Sequence, residues 1–519
     1  GFFFDLDAKT GAVRYPLIDN FEAWPDCVAP GESATLSWRA PEGSAVSIES
    51  IAEKLPEVGT IRIDEVNQPQ TYVLRADHSA GVSYAKAFVG IAEDRVAPHS
   101  GFLVTGGKIA VDKTGNQYIA GSYETGQDFN PGTGFDVHAC AGYNDLFITK
   151  IGPECDYLWT VTFGGSEPTT TSPEWIEHIF ATDDMVFVAG RCETGAFRFD
   201  RETVATESTG TVFVAAIDAN TGAPRKQFGV NGFAWFGGRD VQVENMAFIT
   251  SADALYISYD ILPGKKMYYE TDSDKSKRDV IIQALDRATG AFIPEFGDAG
   301  TVRFGGELSE YAGALAISGN TLFVVGKSVS IAISWNGKEY SFENPYPDDE
   351  EDNEGVKEKD VSYSKLYILA LDLKTGKPIS KFSDDGLLVI GGLSSLTSFD
   401  DLFYHALTAN DRLYVCAPFR ERIFSEAWSD TFMLESAACI IGLDVNTGSP
   451  AQEFNRIGLQ GLETYFEEDY IHGMTTDSGN IYILGAFSRK GVSLDIPAFQ
   501  PRKKEVVPEN EHHGFFLIE

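Results

Sequence analysis

Two short sequence markers recur in phase along most of this chain, and together they leave few folds open. An F-G-G ending or a close variant stands at Phe163–Gly165, Phe236–Gly238, Phe304–Gly306 and Ile390–Gly392. A D-x-x-T-G motif stands at Asp218–Gly222, Asp286–Gly290, Asp372–Gly376 and Asp444–Gly448. Each copy of the second marker follows an apolar run such as Val280–Leu285. Each precedes a phenylalanine (Phe228, Phe296, Phe382, Phe454) and then a glycine (Gly232, Gly300, Gly386, Gly458). Glycine supplies the positive φ that such turns need, and the aspartate side chain caps the turn's backbone. Self-similarity at a long fixed period marks a repeat architecture. A length of 519 residues therefore does not have to mean several unrelated domains.

The repeating unit is clearest from Gly106 to Gly165. Apolar runs at Lys108–Asp112, Gln117–Gly121, Asp145–Ile151 and Leu158–Phe163 are separated by Gly, Asn, Asp and Pro. Short alternating runs of β-branched and aromatic residues predict antiparallel strands. Four of them per period predict one blade of a β-propeller. Six units begin near Gly106, Ile176, Val241, Tyr311, Asp401 and Tyr470. The sixth has no fourth strand of its own. Gly101–Gly107 (GFLVTGG) matches Gly386–Gly392 (GLLVIGG), so it is expected to close the ring beside Gly514–Glu519 and remove the open edge.

Residues 17–96 change character. Runs such as Val28–Trp38, Val46–Ile48, Thr71–Ala76 and Lys86–Ile91 are the short alternating strands of a β-sandwich, with Trp38 in its core. The P-G-E-S-A-T-L-S-W run and the T-Y-V-L-R-A strand resemble bacterial immunoglobulin-like modules of surface proteins. Cys27 has no partner inside the module, so the inter-sheet disulfide of antibody domains is absent. In the repeats, N-Q-Y-I-A-G-S-Y, D-F-N-P-G-T-G, N-D-L-F-I-T-K-I and L-W-T-V-T-F-G-G resemble the SBBP-type β-propeller repeat of bacterial secreted and surface proteins. The runs F-G-V-N-G-F-A-W-F-G-G and F-G-D-A-G-T-V-R-F-G-G resemble a related bacterial repeat. The resemblance covers residues 101–519 and implies a propeller and export, while saying little about activity. That family is nominally seven-bladed, against the six units counted here. The expected fold is all-β: a six-bladed β-propeller (alternatively seven) over 97–519, an immunoglobulin-like β-sandwich over 17–96, and an N-terminal strand segment over 1–16.

Charge narrows the partners. With 77 acidic against 41 basic residues the formal charge is −36, which repels nucleic acid and anionic membranes. No apolar run is long enough to span a bilayer. The balance favours solubility, cation binding or a saline habitat. No secretion signal opens the sequence, as expected if one has been removed. The cysteines (Cys27, Cys140, Cys155, Cys192, Cys416, Cys439) are widely spaced without C-x-x-C, which argues against zinc. Their pairing cannot be read from spacing. Export implies at least one disulfide, although Cys140 and Cys155 fall near opposite ends of one predicted strand.

Two constellations could carry chemistry. The acidic run Asp348, Asp349, Glu350, Glu351 and Asp352 is a solvated insertion or a weak calcium site. The same choice holds for Asp128, Asn130 and Asp136. Calcium is the one cofactor the sequence leaves open. Lys108, His178, Asn245, His405 and His472 align at the first strand of their units, the strand that lines a propeller's channel. They form either a polar ring for a metal or anion, or separate side chains each serving its own backbone. No G-x-S-x-G, H-E-x-x-H, Walker loop or dinucleotide fingerprint is present.

The sequence thus reads as a secreted or cell-surface, non-catalytic structural or adhesive protein. One alternative is a carbohydrate-active enzyme, a polysaccharide lyase or glycosidase, with its site at the channel mouth. Another is a glycan- or peptide-binding module. Phe2, Phe3, Phe4 and Leu6 lie on a surplus N-terminal strand that could pair within the chain or add to a neighbouring copy head to tail. In the second case deletion of residues 1–11 abolishes assembly seen by light scattering and negative-stain microscopy. Equal assembly of the truncated protein rules that strand out as the linker.

Overall fold

The computed structural model describes most of residues 18–518; outside the described residues lie 1–17, 92–104, 166–173, 264–277, 342–363, 394–403, 425–431, 452–458, 464–469, 495–513 and several stretches of six residues or fewer. The expected roles of the N-terminal strand (Phe2, Phe3, Phe4, Leu6) and of the acidic run Asp348–Asp352 fall in those segments. The described residues form strands and turns without helix, and the fold is all-β. The chain divides into two compact units, Gly1–Phe236 and Gly237–Glu519.

The first unit opens with a sandwich. One sheet joins Asn20–Trp24, Glu32–Arg39 and Val58–Val66; the other orders Cys27–Val28, Gly81–Ile91, Gln70–His78, Ala45–Ile48 and Ala52–Leu55. Along Glu32–Arg39 the buried residues are Ala34, Leu36 and Trp38, the period of two that puts one face of a strand inward. These pack with Val46, Ile48, Tyr72, Leu74, Ala87 and Val89 in one core. Trp38 lies in that core as expected, and its indole Nε1 donates to Pro56 O at 2.9 Å. Gly59 is the residue opposite, where a Cβ would stand 2.6 Å from the Trp38 ring.

Two four-stranded antiparallel sheets follow in the same unit. The first sheet runs Thr105–Val111, Gln117–Tyr123, Asp145–Ile151, Tyr157–Gly165; the second runs Trp175–Ala181, Met185–Arg191, Val212–Asp218, Phe233–Phe236. The third strand of each is buried nearly end to end, which is why it reads as an unbroken apolar run. Side chains of both sheets share a core that includes Ile148, Phe163, Val188, Phe213 and Phe233. Thr105, Gly106 and Gly107 open the first sheet, with Thr105 opposite Ser122. The rest of the expected closing strand, 101–104, is outside the described residues.

The second unit continues the pattern. The third sheet is Val241–Thr250, Ala254–Pro263, Asp279–Asp286, Thr301–Phe304, and the fourth is Glu310–Ser318, Thr321–Ser328, Lys365–Asp372, Leu387–Leu393. The fifth is His405–Ala409, Arg412–Phe424, Ala438–Asp444, Leu459–Glu463. The sixth comprises Tyr470–Thr476, Ile481–Phe487 and Gly514–Ile518 among the described residues. One core lies between the third and fourth sheets and another between the fourth and fifth.

Both markers have a structural cause. Asp218 Oδ1 accepts from the Asn220 and Thr221 backbone N–H groups and from the Thr221 hydroxyl at 3.0, 2.9 and 3.0 Å. Gly222, at φ +72°, closes the turn by donating to Asp218 O at 2.9 Å. The same bonds recur at Asp286, Asp372 and Asp444. The turn then seats on the preceding sheet. Gly297 N donates to Thr375 O at 2.8 Å, and Ser383 N donates to Thr447 O at 2.9 Å. A Cβ on Gly376 would press on Gly297 N and Val302, and one on Gly448 would press on the Phe382 ring. The D-x-x-T-G turns at Asp372 and Asp444 are therefore shaped to fit the loops after Phe296 and Phe382 in the repeats before them.

The outer strands are also covered. Phe163, Gly164 and Gly165 pair with Phe199, Arg198 and Phe197, which lie between the second and third strands of the next sheet. The corresponding connections supply Ile333 opposite Gly306, Phe424 and Phe419 opposite Gly391 and Leu393, and Leu494 opposite Leu462. Each strap reaches back one repeat and occupies edge groups that would otherwise stand open. In the first sheet the same connection meets the sandwich instead. Lys86 Nζ donates to Asp128 Oδ2 at 2.5 Å and to Asn130 O at 2.6 Å.

Tight packing makes one substitution diagnostic. Gly326 sits in an extended strand under the buried Tyr367 ring, whose hydroxyl donates to Tyr311 O at 2.9 Å. A methyl group there would overlap both Tyr311 O and the ring. Gly326→Ala is expected to cost about 1–3 kcal/mol in a denaturant midpoint. An unchanged midpoint would show that the ring gives way freely.

Candidate functional site

Among the described residues of the second unit, a dense group of buried polar side chains lies where the third and fourth sheets adjoin. Glu310 opens the fourth sheet's first strand and is fully buried. Its Oε2 accepts from Gly306 N at 2.6 Å, and its Oε1 accepts the Ser328 and Ser330 hydroxyls at 3.0 and 2.5 Å. Burial pushes the Glu310 carboxyl above its ordinary range, and these three donors do not fully offset it. Asp260, also fully buried, accepts from the backbone of Asn245 and Ala312, both at 3.2 Å, and from Arg278 Nη1 at 3.2 Å. It ties a bulge in the third sheet to the first strand of the fourth.

Lys365 begins the fourth sheet's third strand, opposite Ser328 and Gly391, and is 2% exposed. Burial lowers its amine to about 8 against the pull of Glu310. Asp145 and Asp279 begin the third strand in the first and third sheets. A Cβ on Gly164 would come within 2.6 Å of both Asp145 Oδ1 and Glu174 Oε2, and one on Gly305 would overlap the Asp279 carboxylate. Glu174 is the counterpart of Glu310: its Oε1 accepts from Gly165 N at 2.6 Å and from the Cys192 thiol at 3.3 Å. The F-G-G marker is thus a strand end whose middle glycine makes room for a carboxylate and whose last glycine donates to another. Both oxygens of Glu310 are engaged by its own chain. The cluster is built as a cross-tie between strands.

The channel-mouth residues separate by register. Lys108, His178 and His405 pair with Ala120, Ala189 and Cys416, which lie opposite Ile148, Val214 and Ile440 in the third strands. These three share one repeat position. Asn245 and His472 do not. Ala247 and Gly473 take that position in the third and sixth sheets, and Asn245 and His472 fall in bulges. The single inserted residue in each first strand was invisible to an alignment of apolar runs, and only the pairing reveals it. Lys108 is exposed, while His178 and His405 are half-buried.

The loop of Asp128, Asn130 and Asp136 is organised by its own partners. Asp128 takes the Lys86 ammonium and the backbone N–H groups of Asn130 and Asp136. Asp136 accepts the Tyr157 hydroxyl and stands 3.1 Å from His138 Nε2, while His138 Nδ1 lies 3.2 Å from Thr162 Oγ1. Lys86, His138 and Tyr157 were not singled out from the sequence, because their partners are distant in the chain. Among the described residues no group of three His, Cys, Asp or Glu is placed to hold a metal ion. Cys140, Cys192 and Cys416 carry thiols rather than disulfides, and burial pushes the Cys416 thiol up to about 12. The side chains of Cys27, Cys155 and Cys439 lie outside the described residues.

No family model matches the chain, and no curated protein does. Among solved structures it is similar to a quinonprotein alcohol dehydrogenase-like protein of Bacteroides thetaiotaomicron, at 8% identity over 93% of this chain and 90% of that one, with a TM-score of 0.27. A likeness of that size carries no argument about fold or activity.

Lys365 yields a pH test. Its folded-state value lies below the unfolded one, so its contribution to stability is present at high pH and is lost as pH falls through about 8. The neutral isostere Lys365→Met removes that dependence. The stability difference between the variant and the native protein should shrink by up to about 3 kcal/mol between pH 8 and 10.5. A difference that is flat across this range would show that the amine is not desolvated.

Proposed function

We propose that this chain is an exported, non-catalytic structural or adhesive protein, built as an immunoglobulin-like sandwich leading into a six-bladed propeller. The resemblance of its repeats to those of bacterial surface proteins supports export. The ring reading is supported inside each unit by neighbouring first strands. Thr105–Val111 lies against Trp175–Ala181, while Val241–Thr250, Glu310–Ser318, His405–Ala409 and Tyr470–Thr476 follow one another side by side. First strands stacked in order are what a common axis requires.

One observation carries the functional half of the reading. The residues that recur are spent on holding neighbouring repeats together. The Asp-Thr-Gly turns seat on the preceding loops, the glutamates bind the strand ends, and the straps cover the edges. A scaffold of this kind supports surface attachment through rigidity, and a charge of −36 keeps it soluble and self-repelling. The test is to immobilise a panel of plant, algal and bacterial polysaccharides and to pass the purified protein over them. Retention without release of reducing ends or unsaturated uronates is expected. Product release would overturn the non-catalytic reading in favour of a carbohydrate-active enzyme. Failure to adhere to polysaccharide, protein-coated or cell surfaces would overturn the adhesive one.

A further inference from the structure

We propose that the groove between the third and fourth sheets binds a neutral saccharide unit. It encloses about 300 Å³ and is lined by Glu295, Asp298, Trp335, Asn336, Thr375 and Lys377, with Val302 and Pro378 beneath. That volume lies at the lower end of small-ligand sites. The proposal rests on the adhesive reading and names the class of ligand.

The groove exists because the fourth sheet's strap forms a hairpin over the seam. Ala332–Trp335 pairs with Lys338–Ser341 around Asn336-Gly337, both at positive φ (50° and 76°), the conformation a two-residue hairpin turn demands. One side of the hairpin is bound to the third sheet through Ile333 and Gly306. The other is bound to the fourth sheet: Asn336 Nδ2 donates to Asp385 Oδ2 at 2.7 Å, Tyr340 OH donates to Asp384 O at 3.1 Å, and Lys338 pairs with Asp384. The opposite walls are the Gly297 loop and the Thr375 turn, joined by the hydrogen bond that docks the two repeats. The walls are therefore held on every side, and a ligand would meet a preformed site.

The lining selects the chemistry. Trp335 is 6% exposed, its ring is held edge-on by Phe304 at 5.5 Å, and its indole Nε1 is buried without an acceptor. Buried donors normally have partners, and a small shift of this wall would let a ligand hydroxyl supply the one that the Trp335 N–H lacks. Two carboxylates and one amine leave little net charge, which favours neither a phosphate-rich nor a polycationic ligand. Apolar surface from Val302, Trp335 and Pro378 next to amide, hydroxyl and carboxylate groups matches a sugar ring, which has C–H faces and a rim of hydroxyls. Asp298 and Glu295 accept from such hydroxyls, and Asn336 can both donate and accept.

The full chain is applied to an array of neutral and acidic oligosaccharides, and the best neutral glycan is then titrated against native protein, Trp335→Phe and Asp298→Asn. Trp335→Phe keeps an aromatic ring in the wall and removes the N–H together with the pyrrole half of the indole; Asp298→Asn removes an exposed charge. Each is expected to weaken binding by about tenfold, Asp298→Asn at an unchanged denaturation midpoint and Trp335→Phe at a lowered one, because it empties part of the core. Should Trp335→Phe fail to fold, Asp298→Asn still reads the site. Array binding that both variants retain at full affinity, or binding confined to acidic glycans, overturns the groove as the saccharide site and leaves adhesion standing. No array binding, with retention on protein-coated surfaces, likewise overturns the ligand class alone. No retention on any surface overturns both readings.

Discussion

A β-sheet that ends in solvent presents a row of unmade hydrogen bonds, and the rest of this structure depends on how those edges are covered. Among the described residues, the straps of the second, fourth, fifth and sixth sheets leave the middle of their sheet and pair with the outer strand of the sheet before it. Gly165 meets Phe197, Gly306 meets Ile333, and Leu462 meets Leu494. Within each unit the pairing interlocks neighbouring meanders. It also explains why the second-to-third connections are long when a hairpin needs only two residues. Where no repeat precedes, the connection goes to the sandwich, and the Lys86–Asp128 pair takes the place of strand pairing.

Covering the edges buries polar groups, and the chain meets that cost with carboxylates. Glu174 and Glu310 accept the last backbone N–H of a covered strand, and Asp260 accepts two N–H groups that a bulge and a neighbouring strand leave over. A buried carboxylate is stable only when hydrogen bonds replace its water, and Glu310 receives three. Lys365 breaks the pattern, with an amine where the first and third sheets have Asp145 and Asp279. Its depressed value near 8 shows how strongly burial resists a charge at that place.

The groove under the Asn336-Gly337 hairpin follows from the same device. A strap that must reach from the end of one sheet to the loop of the next has to bridge the seam between them, and a bridge leaves space below. Binding surface and cohesion thus come from one element. Loops positioned by a rigid frame are where recognition commonly resides, and here the frame and the loop are fastened by the same residues.

The sequence by itself determined the secondary structure and the repeat. Alternating runs placed the strands, the Asp and Gly of D-x-x-T-G specified a turn by local chemistry, and Trp38 announced a sandwich core, because each depends on residues close in the chain. Tertiary structure decided the partners. No local pattern shows that Thr375 O receives Gly297 N, that a glutamate holds the last glycine of F-G-G, or that Lys86 reaches Asp128. Register was decided there too. Lys108, His178 and His405 share one place, whereas Asn245 and His472 fall inside the one-residue bulge that precedes it, a bulge that the first and second sheets carry as well. An inserted residue reverses which face a side chain occupies. The signal for it is in the pairing between strands, and a list of apolar runs does not carry that information.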